Sequence, residues 1–425
     1  MLYLHPLMKR KDIEIMAPSG SYESLMAAIQ GSADSIYFGI ENLNMRAASS
    51  NNFTLDDLRK IATICSDNDL KSYITVNVVV FDHEIEQMHR IIDAAIESGI
   101  SAVIASDLSV INYAFTSGIE VHLSTQLNIT NIESLKFYSQ WADVAVLARE
   151  LNLDQVKHIY NSIEEQDIKG PRGDLIKIEM FAHGALCMAV SGKCYLSLHE
   201  NNKSANRGEC YQTCRKSYIA TGKESGNELE IDNEYIMSPK DLCTIGFVDK
   251  MIDAGVRVLK LEGRARSAEY VKEVSSCYDE AVRAIENGTF NHENREVWRK
   301  RLSTVFNRGF WDGYYLGQKI GEWNTNYGSS ATKRKIYLGK ITNYFTKLKV
   351  AEIKLENGDL NKGDTIIITG PTTGVVEYNI DEIRVDLKVT ENAGKGDVCS
   401  IKASDYIRRS DKVYKWVDAK EVKRQ

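Results

Sequence analysis

The sequence predicts an α/β fold: a (β/α)8 TIM-like barrel with a cysteine-bearing insertion, followed by a small C-terminal antiparallel β-barrel. Over residues 1–290, short β-type runs alternate with segments whose apolar residues have helical spacing. A long connection at 184–238 interrupts this alternation and holds four cysteines. After a helical connection at 291–335, closely spaced short strands fill residues 336–425.

The first domain contains eight β-type runs. They span residues 13–17, 35–39, 72–79, 102–106, 121–125, 144–148, 177–182 and 256–262. Segments with helical periodicity follow them, for example 22–30, 55–65, 84–96, 153–162 and 268–285. A doubly wound open sheet would give the same alternation, but the count of eight favours a closed barrel.

The last 90 residues show a different pattern. We expect strands at 337–341, 347–355, 364–369, 375–383 and 397–401, with a turn at Glu356-Asn357-Gly358-Asp359. In the connection before them, we expect the aromatic residues to pack a domain interface rather than to stack on bases. These aromatics are Trp298, Phe306, Phe310, Trp311, Tyr314 and Tyr315.

Composition narrows the class of protein. Hydrophobic residues make up 43% and charged residues 26%, as in a globular protein with a full core. The net charge of −6 gives no overall basic field, so any RNA contact needs a local patch. The sequence has no apolar run of membrane-spanning length and no signal peptide at residues 1–11, which predicts a cytoplasmic protein. In a reducing compartment, clustered cysteines are more often metal ligands or redox groups than disulfides.

The four clustered cysteines are Cys187, Cys194, Cys210 and Cys214. Four thiolates suit a 4Fe–4S cluster or a tetrahedral zinc ion. If a helix begins at Cys210, the last two thiols share one face of it. Cys243, which we expect at the start of the next helix, is the alternative fourth ligand. The other cysteines, Cys65, Cys277 and Cys399, each stand alone and are interpreted as core residues.

Polar residues follow the predicted barrel strands, where active sites of such barrels lie. They are Ser19, Asn77, Asp107, Thr125, Gln126, Arg149, Glu150, His183, Glu262 and Arg264. A polar residue can also simply begin a loop, so the set is stronger evidence than any single member.

Two segments around the first cysteines, EMFAHGALC at 179–187 and GKCYLS at 192–197, resemble the signature of peptidase family U-32, the collagenase-like proteases. The resemblance extends from about residue 13 to 290, and residues 370–374 resemble that family's C-terminal β-barrel. Further similar segments lie at 17–20, 37–39, 44–47, 122–126, 147–151, 238–242 and 260–264.

The length, the tail and Cys214 are most similar to the family's tRNA hydroxylation branch. That resemblance implies a cytoplasmic iron–sulfur protein that converts a wobble uridine of tRNA to 5-hydroxyuridine and depends on prephenate. It implies Cys187, Cys194, Cys210 and Cys214 as cluster ligands. The implied partners are tRNA, a small dicarboxylate metabolite and a redox partner, with no membrane.

Prephenate carries two carboxylates, which arginine binds in bidentate fashion. Arg46, Arg149 and Arg264 are the candidates, although each could instead pair with Glu150 or Glu262. Asn77 and Gln126 could hydrogen-bond a flipped base. We therefore predict catalytic roles for Asn77, Gln126, Arg149 and Glu262, and substrate contacts for Arg46, His183 and Arg264.

Two alternatives stay open. The family name implies proteolysis, and His183 lies four residues before Cys187 as a possible thiol–imidazole pair. Against it, the chain has no His-Glu-x-x-His motif and no Gly-x-Ser-x-Gly motif, and a thiolate that ligates iron cannot attack a peptide. The second alternative is a non-catalytic RNA-binding protein whose cluster senses redox state.

Overall fold

The structure is a computed structural model and describes residues 8–48, 52–218, 235–319, 321–325 and 328–421. Ten strands form one sheet in the N-terminal part of the chain. They are β1 (Glu14–Pro18), β2 (Ser35–Gly39), β3 (Lys71–Val76), β4 (Ala102–Ala105), β5 (Glu120–Leu123), β6 (Val144–Val146), β7 (Lys177–Gly184), β8 (Asp241–Cys243), β9 (Val256–Leu261) and β10 (Phe310–Trp311).

Eight of these strands close a parallel barrel. Strands β1 to β7 are neighbours in sequence order, and β9 pairs with both β1 and β7. The predicted (β/α)8 barrel is therefore confirmed, and the open doubly wound sheet is excluded. The carboxyl ends of all eight strands face one opening.

Helices cover the barrel. They are α1 (Tyr22–Gln30), α2 (Asp57–Ser66), α3 (Ile85–Ser98), α4 (Leu108–Thr116), α5 (Ile132–Tyr138), α6 (Leu153–Glu165), α7 (Leu196–Asn201), α8 (Val248–Asp253), α9 (Ala268–Glu286) and α10 (His292–Leu302). In α3, one face of Met88, Ile91, Ile92 and Ala95 is buried against the sheet, as its periodicity predicts. This helix ends at Gly99, whose positive φ of 81° a side chain would disfavour. The part of the chain that the structure describes has no helix long and apolar enough to cross a membrane.

Strands β8 and β10 were not predicted. β8 runs antiparallel to the end of β7, with Cys243 opposite His183, and β10 pairs with β8. The prediction of Cys243 at a helix start was therefore wrong. A strand of three residues is too short to show a hydrophobic period, and β8 is extended because it pairs with β7 on one side and β10 on the other.

The cysteine segment lies across the barrel opening and is attached to the strand ends. The amide of Val79 donates to the carbonyl of Asn206 at 3.2 Å, and that of Ala48 to Gly208 at 3.2 Å. Arg207 donates to both carboxylate oxygens of Glu84 and lies over the ring of Phe81 at 4.2 Å. Residues 219–234 of the predicted 184–238 segment lie outside the described residues.

The aromatic residues of the connection pack mainly on the barrel. Trp298, Trp311 and Tyr315 are buried, and Trp298 and Tyr315 belong to the barrel's hydrophobic core. The hydroxyl of Tyr315 donates to the carbonyl of Phe181 on β7 at 2.9 Å. These rings are therefore structural.

The C-terminal domain is antiparallel, as predicted. Eight of its strands form one sheet, in the order β15-β14-β20-β11-β12-β19-β16-β17, and β13 pairs with β18. Its strands are β11 (Lys333–Phe345), β12 (Val350–Leu355), β13 (Leu360–Asn361), β14 (Thr365–Gly370), β15 (Gly374–Asn379), β16 (Ile383–Val385), β17 (Lys388–Thr390), β18 (Asn392–Ala393), β19 (Val398–Lys402) and β20 (Lys412–Asp418). The predicted run at 375–383 is two strands, and β20 was missed. The domain has its own core, which includes Ile353, Ile366 and Cys399.

Candidate active site at the barrel opening

A cavity of about 230 Å³ opens at the carboxyl ends of the barrel strands. Cys187, Cys194, Cys210 and Cys214 all line it. The structure thus brings together the four cysteines that spacing singled out.

Each cysteine is placed by a different local element. Cys187 follows β7, where Gly184 has a φ of 107° and where a Cβ would meet the Glu262 carbonyl oxygen at 2.5 Å. Cys194 precedes α7, and Cys214 lies in a 3-10 turn, Thr213–Arg215. Cys210 and Cys214 therefore do not share one face of an α-helix, because Gln212 between them has a left-handed φ of 54°.

Charges around the thiols favour a thiolate at Cys187. Burial raises the pKa of this thiol, but Arg149, Arg46 and Arg215 together more than offset that effect and leave the pKa below its usual value. The pKa of Cys214 rises to about 11, through burial first and then the nearby thiolates of Cys187, Cys210 and Cys194. A bound cation would remove this mutual repulsion, so the donor set fits a metal centre.

Four thiolates that line one cavity suit either a 4Fe–4S cluster or a tetrahedral zinc ion, since thiolate ligands are compatible with both. Among the described residues, no group of three or more His, Cys, Asp or Glu is already arranged to hold a metal ion.

The remaining cysteines lie in hydrophobic cores. Cys243 is buried on β8, and it does not line the cavity in the described part of the chain. Burial raises its pKa to about 12. Cys65 and Cys277 belong to the barrel core and Cys399 to the C-terminal core. Geometry therefore groups Cys214, not Cys243, with the other three thiols.

Glu262 and Arg46 form an ion pair on the cavity wall. Nη2 of Arg46 lies 2.7 Å from Oε1 of Glu262, whose Oε2 accepts from the amide of Ala185 at 3.2 Å. Burial raises the pKa of Glu262, but the positive charges of Arg46 and Arg266 outweigh this effect and lower the pKa to about 2. Glu262 is thus a fixed carboxylate that positions Arg46 and the start of the cysteine segment.

Arg264 has a different environment. It is 6% exposed, and its Nη1 donates to Asn44 Oδ1 and Thr75 Oγ1, both at 3.0 Å. Within the described residues no carboxylate forms an ion pair with it, and burial lowers its pKa to about 10. A buried cation whose hydrogen-bond partners are neutral is costly, and an anion bound beside it would offset that cost.

Asn77 and Gln126 meet in a small polar network. Nδ2 of Asn77 donates to Ser124 Oγ at 3.1 Å and to Gln126 Oε1 at 3.5 Å. The hydroxyl of Ser124 donates to the same Gln126 oxygen, and Asn77 Oδ1 accepts from the amide of Met45 at 3.2 Å. Both predicted amides line the cavity, where their edges suit a planar heterocycle.

Arg149 lies above the Phe181 ring, 5.1 Å from its centre. It donates to Ser191 Oγ at 2.8 Å and to the carbonyl of Ala185 at 3.4 Å. Burial lowers its pKa, but the nearby Cys187 thiolate raises it more. Arg149 therefore neutralises Cys187 rather than pairing with Glu150.

His183 is not brought into the cavity as the described residues outline it. It is 1% exposed and packs among Tyr270, Tyr278 and Phe310, with ring centres 5.7 to 6.0 Å away. Burial lowers its pKa to about 3. It is a neutral packing residue, and neither a substrate contact nor a base for Cys187 follows from this position.

Sequence reasoning missed several cavity cations. Lys260, buried on β9, lies 2.6 Å from Glu179 on β7 inside the barrel. Its place in the 260–264 segment could have indicated that it lies near the site. A lysine on a strand is, however, more often on a surface than in a core. Among the described lining residues, seven cations accompany one carboxylate, Glu262. They are Arg46, Arg149, Arg215, Lys260, Arg264, Arg266 and Arg308.

Comparisons with known proteins find relatives that match most of the chain. Over 409 residues the chain is 60% identical to a collagenase of Porphyromonas gingivalis, covering 96% of this chain and 99% of that protein. It is 28% identical to tRNA hydroxylation protein P1 of Bacillus subtilis, covering 88% and 87%. It is 34% identical to a 23S rRNA 5-hydroxycytidine synthase of Escherichia coli, covering 73% of this chain and 46% of that protein. Residues 20–325 match peptidase family U32, and the chain belongs to this family.

Proposed function

We propose that this chain is an iron–sulfur enzyme of RNA modification that hydroxylates a tRNA wobble uridine to 5-hydroxyuridine in a prephenate-dependent reaction. One observation carries the proposal: four cysteines share a cation-rich cavity at the catalytic end of a barrel. Relatives named for tRNA hydroxylation and for rRNA hydroxycytidine synthesis support RNA as the substrate class.

Cys187, Cys194, Cys210 and Cys214 would hold a 4Fe–4S cluster. When bound, it would supply electron transfer or oxygen activation next to the substrate. The chain's own contribution is electrostatic, because Arg149 and Arg46 stabilise the Cys187 thiolate before any metal arrives. With dioxygen as the oxygen donor, one oxygen atom would enter the C5–H bond of the uracil, and a redox partner outside this chain would deliver the two electrons that, with two protons, reduce the other oxygen atom to water.

Prephenate would bind through its carboxylates. Arg264 offers a buried cation without a carboxylate partner among the described residues, whereas Arg46 is already paired with Glu262. We therefore place one carboxylate on Arg264 and regard Arg46 as a positioning residue. Asn77 and Gln126 would hydrogen-bond the uracil edge, and their shared contact with Ser124 fixes the amide orientation.

The test uses anaerobically purified full-length protein. A brown solution with iron and acid-labile sulfide, absorbing at about 400 nm, would support the cluster. Incubation with unmodified tRNA, prephenate, a reductant and dioxygen should then yield 5-hydroxyuridine, as detected by nucleoside mass spectrometry. Cys214→Ala should lose the cluster, while Cys243→Ala, the matched control, should retain it. An intact cluster with bound tRNA but no modified nucleoside would instead favour redox sensing.

Proteolysis is the second candidate, because the P. gingivalis relative at 60% identity is named a collagenase. The described residues offer little for it: His183 is buried and neutral, and Cys187 lies beside arginines rather than an imidazole. Release of gelatin peptides by wild type, abolished in Cys187→Ala and independent of iron, would revive it. No release by either protein would exclude it for this substrate.

A further inference from the structure

Two tyrosine side chains are exposed on the cysteine segment. Tyr195 is 74% exposed and Tyr211 is 54% exposed. Each directly follows a cysteine that lines the cavity, Cys194 and Cys210 respectively. Met188 and Val190, exposed on the same segment, line the cavity themselves. Single exposed apolar residues are ordinary, but four on one segment that borders a cavity indicate a binding surface.

The two tyrosines are fixed to one local unit. Tyr195 is the residue before α7, and its carbonyl accepts from the amide of His199 at 2.8 Å. The amide of Tyr211 donates to the hydroxyl of Ser197, on the same helix, at 3.0 Å. Their backbones are therefore held by hydrogen bonds while their rings stay exposed. Such rings offer flat apolar area at low cost in conformational entropy.

The charge of the cysteine segment favours a polyanion. Residues 187–218 contain five Lys or Arg and two Glu, in a chain with a net charge of −6. Both glutamates are paired, Glu209 with Lys203 at 2.7 Å and Glu200 with Lys216 at 3.6 Å. Lys193, exposed beside Cys194, has no carboxylate partner within the described residues. A local basic surface on a protein of negative net charge attracts nucleic acid to that surface, while the rest of the molecule repels it.

A base that enters the cavity must leave its stack, because enzymes that act on a base extrude it from a duplex or take it from a single strand. The nucleotides on either side of an inserted base must then lie at the rim, where unstacked bases need a new partner. An aromatic ring supplies one for any base.

We propose that Tyr195 and Tyr211 form a stacking platform for the nucleotides that flank the target base, so that the enzyme takes its RNA as an unpaired loop. The proposal rests on the proposed function, since it assumes that one RNA base enters the cavity. A peptide substrate could use the same apolar rim, but it would not need the basic charge or a planar partner.

The test compares side-chain chemistry at the two positions. Tyr195→Phe and Tyr211→Phe keep a ring, whereas Tyr195→Leu and Tyr211→Leu keep apolar area without a π face. Affinity is measured in cluster-loaded, full-length protein for a labelled anticodon-type RNA hairpin with an unpaired loop, and for the same strand in a full duplex. Tyr406→Leu is the matched control, because Tyr406 is 53% exposed on the C-terminal domain.

Each Leu variant should bind the hairpin roughly 5- to 150-fold more weakly, the loss expected from one base–aromatic stack. The Phe variants and Tyr406→Leu should bind as wild type, and wild type should prefer the hairpin to the duplex. The absorbance at about 400 nm must stay unchanged, which excludes loss of the cluster as the cause.

Failure of this inference is distinguishable from failure of the proposed function. Wild-type hydroxylation with equal hairpin affinity in the Leu variants would overturn the stacking platform and leave the function intact. Equal binding of hairpin and duplex would also overturn it. If wild type binds a gelatin peptide but not the hairpin, and the Leu variants bind that peptide normally, both fail and the rim serves a peptide.

Discussion

At the residue scale, Arg264 and His183 show how burial gives two side chains opposite roles. Both follow or end a barrel strand and both are almost fully buried. Arg264 lines the cavity and keeps its charge among neutral oxygens of Asn44 and Thr75. His183 lies behind the cavity wall among aromatic rings and stays neutral. One side chain is available to an anion, and the other fixes the wall.

Arg264→Gln should weaken binding of prephenate or a similar dicarboxylate roughly 10- to 150-fold, the effect of losing one charge-assisted hydrogen-bond pair. Isothermal titration calorimetry on cluster-loaded protein measures this. The matched control is Arg257→Gln, since Arg257 lies on β9, the strand that precedes Arg264, but donates to the Ile252 and Val256 carbonyls and does not line the cavity as the described residues outline it. Equal affinity in the two variants would argue against Arg264 as the receptor.

His183 should make the fold acid-sensitive. Its folded pKa of about 3 lies below the usual 6.5, so the unfolded chain binds the proton first. This contribution to stability is complete above about pH 6.5 and is lost progressively as the pH falls toward 3. His183→Phe should therefore lose less stability in acid than wild type, with a difference in the free energy of unfolding of up to about 4 kcal/mol near pH 3. Urea unfolding at several pH values measures this difference. His199→Phe, at an exposed position, should unfold with the wild-type pH dependence.

At the element scale, the contact between Arg207 and Glu84 holds the cysteine segment on the barrel. The side chain of Arg207 is 20% exposed and that of Glu84 is 8% exposed. Because little water reaches either charge, each depends on the other for compensation. Arg207 also donates to the carbonyl of Val79 next to β3. Cys210, three residues after Arg207, is thereby positioned by a distant 3-10 turn, Asp82–Glu84.

Glu84→Ala should leave the Arg207 charge unpaired and loosen the segment at a cost of about 3–5 kcal/mol. The expected result is a lower iron content per chain and faster proteolytic cleavage within the segment. The charge swap Glu84→Arg with Arg207→Glu should recover part of both, because the pair is restored but the Phe81 contact is lost. Unchanged iron content in Glu84→Ala would show that other contacts hold the segment.

Local pattern predicted the large elements and failed for those imposed by neighbours. Eight β/α units could be read because each strand and helix carries its own period. β8 and β10 are too short for a period, and Cys243 was misplaced as a result. The four cavity cysteines were predicted from residue type and spacing. Lys260, Arg266 and Arg308 enter the cavity through tertiary packing, which no local spacing encodes.

At the scale of the whole molecule, a net acidic chain concentrates positive charge at one barrel opening. The C-terminal domain attaches on the barrel's outer helices through apolar and polar contacts, and its Ile367 and Val375 belong to the barrel's hydrophobic core. Lys272 on α9 donates to the carbonyl of Val375 at 2.9 Å, and Lys335 pairs with Glu269 at 3.0 Å. The barrel core thus continues into β14 and β15, while the remaining apolar residues of the C-terminal domain form a separate core.

Gln30 at the end of α1 is central to that attachment. Its Nε2 donates to the carbonyl of Thr373 and its Oε1 accepts from the amide of Val375, both at 2.9 Å. Gly374 between them has a φ of 66°, and a Cβ there would meet Gln30 Oε1 at 2.6 Å. One side chain thus satisfies two backbone groups of a turn that no larger residue could bring as close.

Gln30→Ala should leave both groups without their partner and loosen the domain contact by about 1–3 kcal/mol. Hydrogen exchange should show faster exchange of the Val375 amide, and calorimetry should show the two domains unfolding further apart in temperature. Gln87→Ala is the matched control, because Gln87 bonds only the exposed side chains of Glu41 and Asn42. If Val375 stays as protected in Gln30→Ala as in wild type, the lysine contacts and the apolar packing of Ile367 and Val375 hold the domains together without Gln30, and the turn at Gly374 owes its shape to β14 and β15.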